Sequence, residues 1–182
     1  MIEVRLHGRG GQGAVTSAEL VALAAIAEGK YAQAFPSFGP ERRGAPVLAF
    51  IRTSDQPIRV RSGILQPDVV VVLDEALITV GNALSGLKKD GTIIINTQKS
   101  IQDIKKEYNI TTKVAVVNAT RIARETLGLP ITNTTMLGAL VKVTGVVKLE
   151  SLIEPLKHRF GRIAEKNINA CRRAYEETVT EV

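Results

Sequence analysis

Residues 2–15 read IEVRLHGRGGQGAV, and their pattern decides the fold. Ile2, Val4 and Leu6 alternate with Glu3, Arg5 and His7, the period of a strand. The turn Gly8-Arg9-Gly10-Gly11-Gln12-Gly13 breaks that strand, and the alanine- and leucine-rich stretch behind it, through Ala27, spells a helix. A strand, a glycine turn and a helix N-terminus aim unsatisfied backbone N–H groups and the positive end of a dipole at one point in space. That point suits a phosphate or another anion. The same glycines also serve a tight turn and close packing of helix on sheet, and these residues alone leave both roles open.

Gly8, Gly10 and Gly13 have the spacing of the dinucleotide fingerprint, but the segment fails its second test. An acidic residue should end the next strand and hold the ribose. Glu28 stands at the right distance, yet it precedes Gly29 at the helix end, and the strand candidate Lys30–Phe35 carries no carboxylate at its tip. No Lys-Ser or Lys-Thr pair follows the glycines, so a P-loop is excluded as well.

Outward from this segment, β-branched runs alternate with longer amphipathic stretches, the pattern of an α/β fold. Val69–Leu73, Thr92–Asn96 and Val114–Asn118 are apolar runs of the kind buried on both faces of a parallel sheet. A helix is expected from about Glu75 to Leu87, a strand at Ala45–Thr53, and a short strand at Pro57–Arg61 paired with it as a hairpin across Ser54-Asp55-Gln56. Helices are expected at Asn118–Leu127 and at Met136–Val143, the second capped by Asn133-Thr134. A capping box of Ser151 with Glu154 and a last helix from about Ala164 to Val179 follow. The fold class is therefore α/β, a Rossmann-like three-layer arrangement with a largely parallel central sheet, formed by residues 1–182 as a single domain.

The 182 residues are 45% hydrophobic and 23% charged, the balance of a soluble globular chain, with no apolar run long enough for a membrane span and no signal peptide. A cytoplasmic location and no membrane partner are expected. The net charge of +6, with a cluster at Arg42, Arg43, Arg52, Arg59 and Arg61, admits an anionic ligand or partner. Scarce aromatics and the absence of a helix-turn-helix or zinc pattern argue against nucleic acid. The single cysteine, Cys171, excludes an internal disulfide and a cysteine-ligated cluster within this chain, and it has the setting of a buried small apolar residue.

Few residues can carry catalysis. His7 stands at a strand end beside the glycine turn, where a hydrogen bond within the fold is commoner than a ligand contact; His158 reads as a helix-end surface residue. Asp74-Glu75 closes the central strand on the edge where open sheets bind ligands, though such a pair also starts turns and helices. The segment Phe35–Pro46, FPSFGPERRGAP, joins two phenylalanines, prolines and Arg42-Arg43 in a stiff loop. That composition suits an interface, and its arginines suit a phosphate or carboxylate.

Taken in order, GRGGQGAVTSAE from Gly8, AFPSFGPERRGAP from Ala34, PDVVVVLDE from Pro67, NATRIARETLG from Asn118 and NTTMLGAL from Asn133 resemble the gamma subunits of the 2-oxoacid:ferredoxin oxidoreductases. Pyruvate:ferredoxin oxidoreductase (pyruvate synthase) is the most similar in kind. The resemblance implies a subunit that is inactive alone and binds no cofactor by itself. It implies alpha and beta partners holding thiamine diphosphate and Mg2+, a delta partner carrying 4Fe–4S clusters, and ferredoxin as the electron acceptor of the complex. It further implies contact with coenzyme A, through Gly8, Arg9, Gly10, Gly11, Gln12, Gly13 and Thr16, with Arg42 and Arg43 on a neighbouring loop. No residue of this chain is assigned to catalysis or metal binding. A gamma subunit of a 2-oxoglutarate or 2-oxoisovalerate enzyme, and a non-catalytic Rossmann-like binding module, are the alternatives.

Overall fold

A computed structural model of the chain describes residues 1–37 and 43–181. The expectations placed on Phe38 and Arg42 therefore lie outside the described residues.

The first strand, β1 (Ile2–Arg9), is followed by α1 (Ala14–Ala27), β2 (Tyr31–Pro36) and β3 (Pro46–Ser54). Then come β4 (Val69–Val72), the short α2 (Leu77–Val80), β5 (Thr92–Asn96), α3 (Ile101–Tyr108) and β6 (Lys113–Val117). Helices α4 (Ala119–Leu127), α5 (Asn133–Thr144), α6 (Ile153–Phe160) and α7 (Ala164–Glu177) lead to the two-residue β7 (Val179–Thr180). The strands form one sheet in the order β2-β3-β1-β4-β5-β6-β7. The pairs β1/β4, β4/β5 and β5/β6 are parallel, while β3 and β7 run antiparallel to their neighbours. The parallel core expected from the three apolar runs is present.

Burial explains why those runs lack polar alternation. On one face Val4, Leu6, Val71, Ile94 and Ala115 meet α1, α4, α5 and α7. On the other, Val70, Val72, Ile93 and Ile95 meet Leu77, Ile78 and Ile104. Helix α5 is buried continuously from Asn133 to Val141, because α7 covers the side that α1 and the sheet leave open. The two helices touch through Gly138, where an added Cβ would collide with the Cys171 carbonyl.

Several local expectations are corrected. The helix expected over Glu75–Leu87 contracts to Leu77–Val80, since Asn82 and Gly86 adopt left-handed backbone and the Ala83 and Ser85 carbonyls turn inward to accept from buried Arg5. No strand forms at Pro57–Arg61: both edges of β3 are already taken, by β1 and β2. Arg52 is not part of a surface cluster, because its side chain is buried against Glu3 at 2.7 Å. Asn133 and Thr134 lie inside α5 instead of capping it, and Ser151 sits in a 3-10 turn ahead of α6, which has no side-chain cap. The last helix stops at Glu177, and the chain then adds β7 to the sheet. Helix α3 went unread, although Ser100 caps it by accepting from the Asp103 amide.

Cys171 is buried on α7, and burial pushes its thiol up to about 12. In native protein at pH 8, iodoacetamide should label it about a thousandfold more slowly than in urea-unfolded chain. Rapid stoichiometric labelling of the native chain would contradict this placement.

Candidate functional site

In this sheet β1 and β4 are neighbours whose onward connections leave in opposite directions, β1 through α1 to β2 and β4 toward β5. Their carboxyl ends flank the crevice where open α/β sheets receive ligands. The glycine turn follows β1, Asp74 and Glu75 follow β4, Thr97–Lys99 follow β5, and Arg43–Ala45 lead into β3 on the same edge. The glycine turn is joined to the segment bearing Arg43: Gly10 N donates to Ala45 O at 2.8 Å, Gly44 N donates to Gly10 O at 3.1 Å, and Gly10 and Arg43 form an isolated bridge.

This stitching changes which groups are available. Gly10 N–H is spent on Ala45, and Gln12 N–H on Arg9 O at 2.9 Å. The Gln12 side chain accepts from Arg9 N at 2.7 Å, so it braces the turn. Arg9 is held in place: its Nε lies 2.6 Å from Asp74 Oδ2, and its Nη1 donates to Gly44 O at 3.2 Å. Asp74 also accepts from Ala76 N, so it shapes its turn as well as holding Arg9. Gly8 is the packing glycine of the turn, with Ala14 and Leu73 only 3.1 Å from where a Cβ would stand.

Donors remain on the α1 side. Gly13 caps α1 with φ 79 and no side-chain cap, and the first turn of α1 holds no acidic residue. The amides of Ala14, Val15 and Thr16 precede any i−4 acceptor. Against Gly13 lies the amide of Asn133, the first residue of α5; an added Cβ would stand 3.0 Å from Asn133 Cγ, with the amide nitrogen closer still. Asn133 is only 6% exposed, and its Oδ1 has no partner. Among the described residues its amide nitrogen forms no hydrogen bond. Helix α5 also begins without a side-chain cap or an acidic residue in its first turn. From a third element, Arg159 in the last turn of α6 reaches Thr16 Oγ1 at 3.3 Å. Among the described residues no carboxylate pairs with this guanidinium or lies in the first turn of either helix, so two helix N-termini and Arg159 share an electrostatic arrangement that favours an anion.

Sequence reading missed Asn133 and Arg159. The available signal was the Asn-Thr-Thr start of a helix otherwise apolar through Val141, since polar groups are taken into a core only when something requires them.

His7 is buried, and its Nε2 accepts from Arg5 Nε at 3.0 Å. Burial, assisted by the Arg5 charge, pulls it down to about 3, so it is a neutral part of the fold. His158 is exposed, as expected. Two clefts of about 600 and 380 Å3 open farther along the edge, around Lys99, Asn118 and Arg121 and around Glu75 and Asn96. Their charges are internally paired: Lys99 with Glu75 and Glu107, Arg121 with Glu177. Burial raises the Glu75 carboxyl, but hydrogen bonds from Lys99, Thr97 and Tyr108 outweigh it and hold the group below the usual range. Among the described residues no group of three His, Cys, Asp or Glu side chains is placed to hold a metal ion, and no helix is long and apolar enough to cross a membrane.

An α/β sheet with a glycine turn at its switch point and an anion-seeking corner between α1 and α5 defines a class that comparison makes specific. Residues 3–177 match the family described as pyruvate ferredoxin/flavodoxin oxidoreductase, and the chain belongs to that family. It is 56% identical over 180 residues to the "Pyruvate/ketoisovalerate oxidoreductases common subunit gamma" of Pyrococcus furiosus, covering 98% of this chain and 97% of that one. It is 55% identical over 180 residues to "Pyruvate synthase subunit PorC" of Methanothermobacter thermautotrophicus, covering 97% and 96%. The crystal structure of pyruvate oxidoreductase subunit PORC from Thermotoga maritima superposes with a TM-score of 0.90 at 41% identity, covering 100% of this chain and 98% of that one.

Proposed function

We propose that this chain is the single-domain gamma subunit of a pyruvate:ferredoxin oxidoreductase, and that its part in the reaction is to seat the diphosphate of coenzyme A at the N-terminus of α1. The complex cleaves pyruvate, transfers the acetyl group to coenzyme A, releases carbon dioxide and passes two electrons to ferredoxin; the reverse direction fixes carbon dioxide. Alpha and beta subunits supply thiamine diphosphate and Mg2+, and a delta subunit supplies the 4Fe–4S clusters. The family and the names of the relatives support the assignment, and they favour pyruvate over other 2-oxoacids. The name of the Pyrococcus relative, common to pyruvate and ketoisovalerate enzymes, supports a second reading in which one gamma chain serves both. The two readings agree here, since a subunit shared in that way leaves the choice of 2-oxoacid to its partners.

The observation that carries the coenzyme A role is the set of first-turn amides of α1 behind Gly13, which find no acceptor among the described residues, with the Asn133 amide nitrogen laid against Gly13. Gly11, Gly13, Thr16 and Asn133 contact phosphate oxygens in this reading. Gly8, Gln12 and Arg9 hold the turn that presents them, Gly10 ties it to the segment with Arg43, and Arg42 continues that segment. In the co-expressed complex, Gly13→Ala puts a methyl group into the Asn133 amide and strains a left-handed residue. The Michaelis constant for coenzyme A should rise about tenfold, a loss of about 1.4 kcal/mol, with that for pyruvate unchanged. An unchanged coenzyme A constant would leave the binding-module alternative.

A further inference from the structure

We infer that the extended segment Pro57–Arg61 is a docking edge, which pairs with an acidic strand of another subunit of the oxidoreductase. The inference rests on the multisubunit reading above and adds a surface of this chain and the chemistry of what covers it.

The starting point is an unpaired backbone. Between β3 and β4 the chain runs straight from Pro57 to Arg61, without turn or bend, before it curves back toward Val69. Among the described residues, no backbone amide from Ile58 to Gln66 donates to a protein acceptor. Such groups pair with water or with another chain. The Ile58 carbonyl accepts from Gln33 Nε2 at 3.4 Å, which ties the segment to β2. Carbonyls of an extended chain alternate in direction, so those of Arg59 and Arg61 turn away from Gln33, together with their amides. The segment thus presents one hydrogen-bonding edge outward, the geometry through which an extended peptide adds itself to a strand.

The side chains select the partner. Ile58 and Val60 alternate with Arg59 and Arg61, a strand period with an apolar β-branched face and a cationic face. Arg59, Val60 and Arg61 are exposed, and neither arginine forms an ion pair among the described residues. From Gln56 to Pro67 the sequence has these two arginines and no acid. Two copies of this chain do not suit each other here. Paired in register through Pro57–Arg61, they set arginine against arginine, and like charges directly opposite are destabilising. Carboxylates two residues apart on an incoming strand meet both guanidiniums on one face, while an apolar side chain between them meets Val60 on the other. Pro57 stiffens the entry to the segment, which lowers the entropy lost on pairing. Leu65, later in the same crossover, is 81% exposed and adds apolar surface to it.

The test follows these amides in the assembled oxidoreductase, co-expressed and purified through a tag on the alpha subunit. Hydrogen exchange at Ile58–Arg61 should be slower by about a hundredfold or more than in an unpaired peptide of the same sequence. Arg59→Lys places a primary amine at the contact, and carbodiimide coupling should join it to an Asp or Glu of another subunit. Arg59→Glu combined with Arg61→Glu should return exchange to the peptide's rate or release the gamma chain, with β1 and β5 as well protected as before. Exchange at the peptide's rate in the intact wild-type complex overturns the proposal, as does a cross-link from position 59 to a second copy of this chain. Slow exchange that survives the double charge reversal overturns it too, since the partner is then not acidic. A tagged alpha subunit that recovers no wild-type gamma chain is a different result: the multisubunit reading itself fails, and the docking edge with it.

Discussion

Gly138→Ala should lower the midpoint of thermal unfolding by about 4–8 °C. Gly138 is on α5, in the middle of its contact with α7. The Cβ of an alanine there would lie 2.8 Å from Tyr175 N and 2.9 Å from the Cys171 carbonyl carbon, with the Cys171 oxygen nearer still. These are backbone atoms of a neighbouring helix, so no side chain can rotate out of the way. The helices must separate, and α5 cannot move outward because it is buried on every side from Asn133 to Val141. Overpacking of a core costs up to about 3 kcal/mol, and for a chain of this size each kcal/mol lowers the midpoint by about 2–4 °C. The helix preference of alanine over glycine returns about 1 kcal/mol at most. Calorimetry of the purified chain decides the point: a midpoint within about 2 °C of wild type would mean that the α5–α7 contact is looser than described.

The second large effect is a pH dependence carried by His7. In the fold its pKa is depressed to about 3 by burial and by the Arg5 charge, whereas in the unfolded chain it returns to about 6.5. Between those values the unfolded chain holds a proton that the native chain does not, so stability rises with pH across this window. The contribution is complete above about 6.5 and declines by about 1.4 kcal/mol per pH unit as the solution is acidified toward 3. From pH 7.5 to pH 5 the unfolding free energy should fall by about 2 kcal/mol through this residue. That range ends above the window in which the depressed carboxylates Glu28, Glu75, Glu177 and Glu181 lose their share. His7→Gln, which keeps an acceptor for Arg5, should flatten the profile over the same interval. Parallel profiles for the two proteins would show that His7 protonates in place.

The parallel core was legible because strands buried on both faces must be apolar throughout, and Val69–Val72, Ile93–Ile95 and Val114–Val117 are. The glycine turn was legible for a related reason: Gly11 and Gly13 adopt left-handed backbone that other residues avoid. What escaped depends on distant partners. The helix expected after Glu75 is cut short by Arg5, some eighty residues earlier, and Pro57–Arg61 finds no free strand because β2, earlier in sequence, already holds the edge of β3. In the candidate site, the turn itself could be read from its spacing. Its working groups could not, because Asn133 and Arg159 arrive from helices more than a hundred residues away. Arg9 shows the converse: a residue that looks free in sequence is held by Asp74, whose approach depends on β1 and β4 being neighbours.

The Arg9–Asp74 ion pair spans the carboxyl ends of β1 and β4, the opening that receives the cofactor in dinucleotide enzymes with this frame. A planar nicotinamide or flavin ring would have to part that pair before it could lie across the sheet. Inhibitors designed as mimics of such rings should therefore pass over this chain in favour of the dehydrogenases they were made for. Compounds aimed at it would need to approach from the flank, along α1.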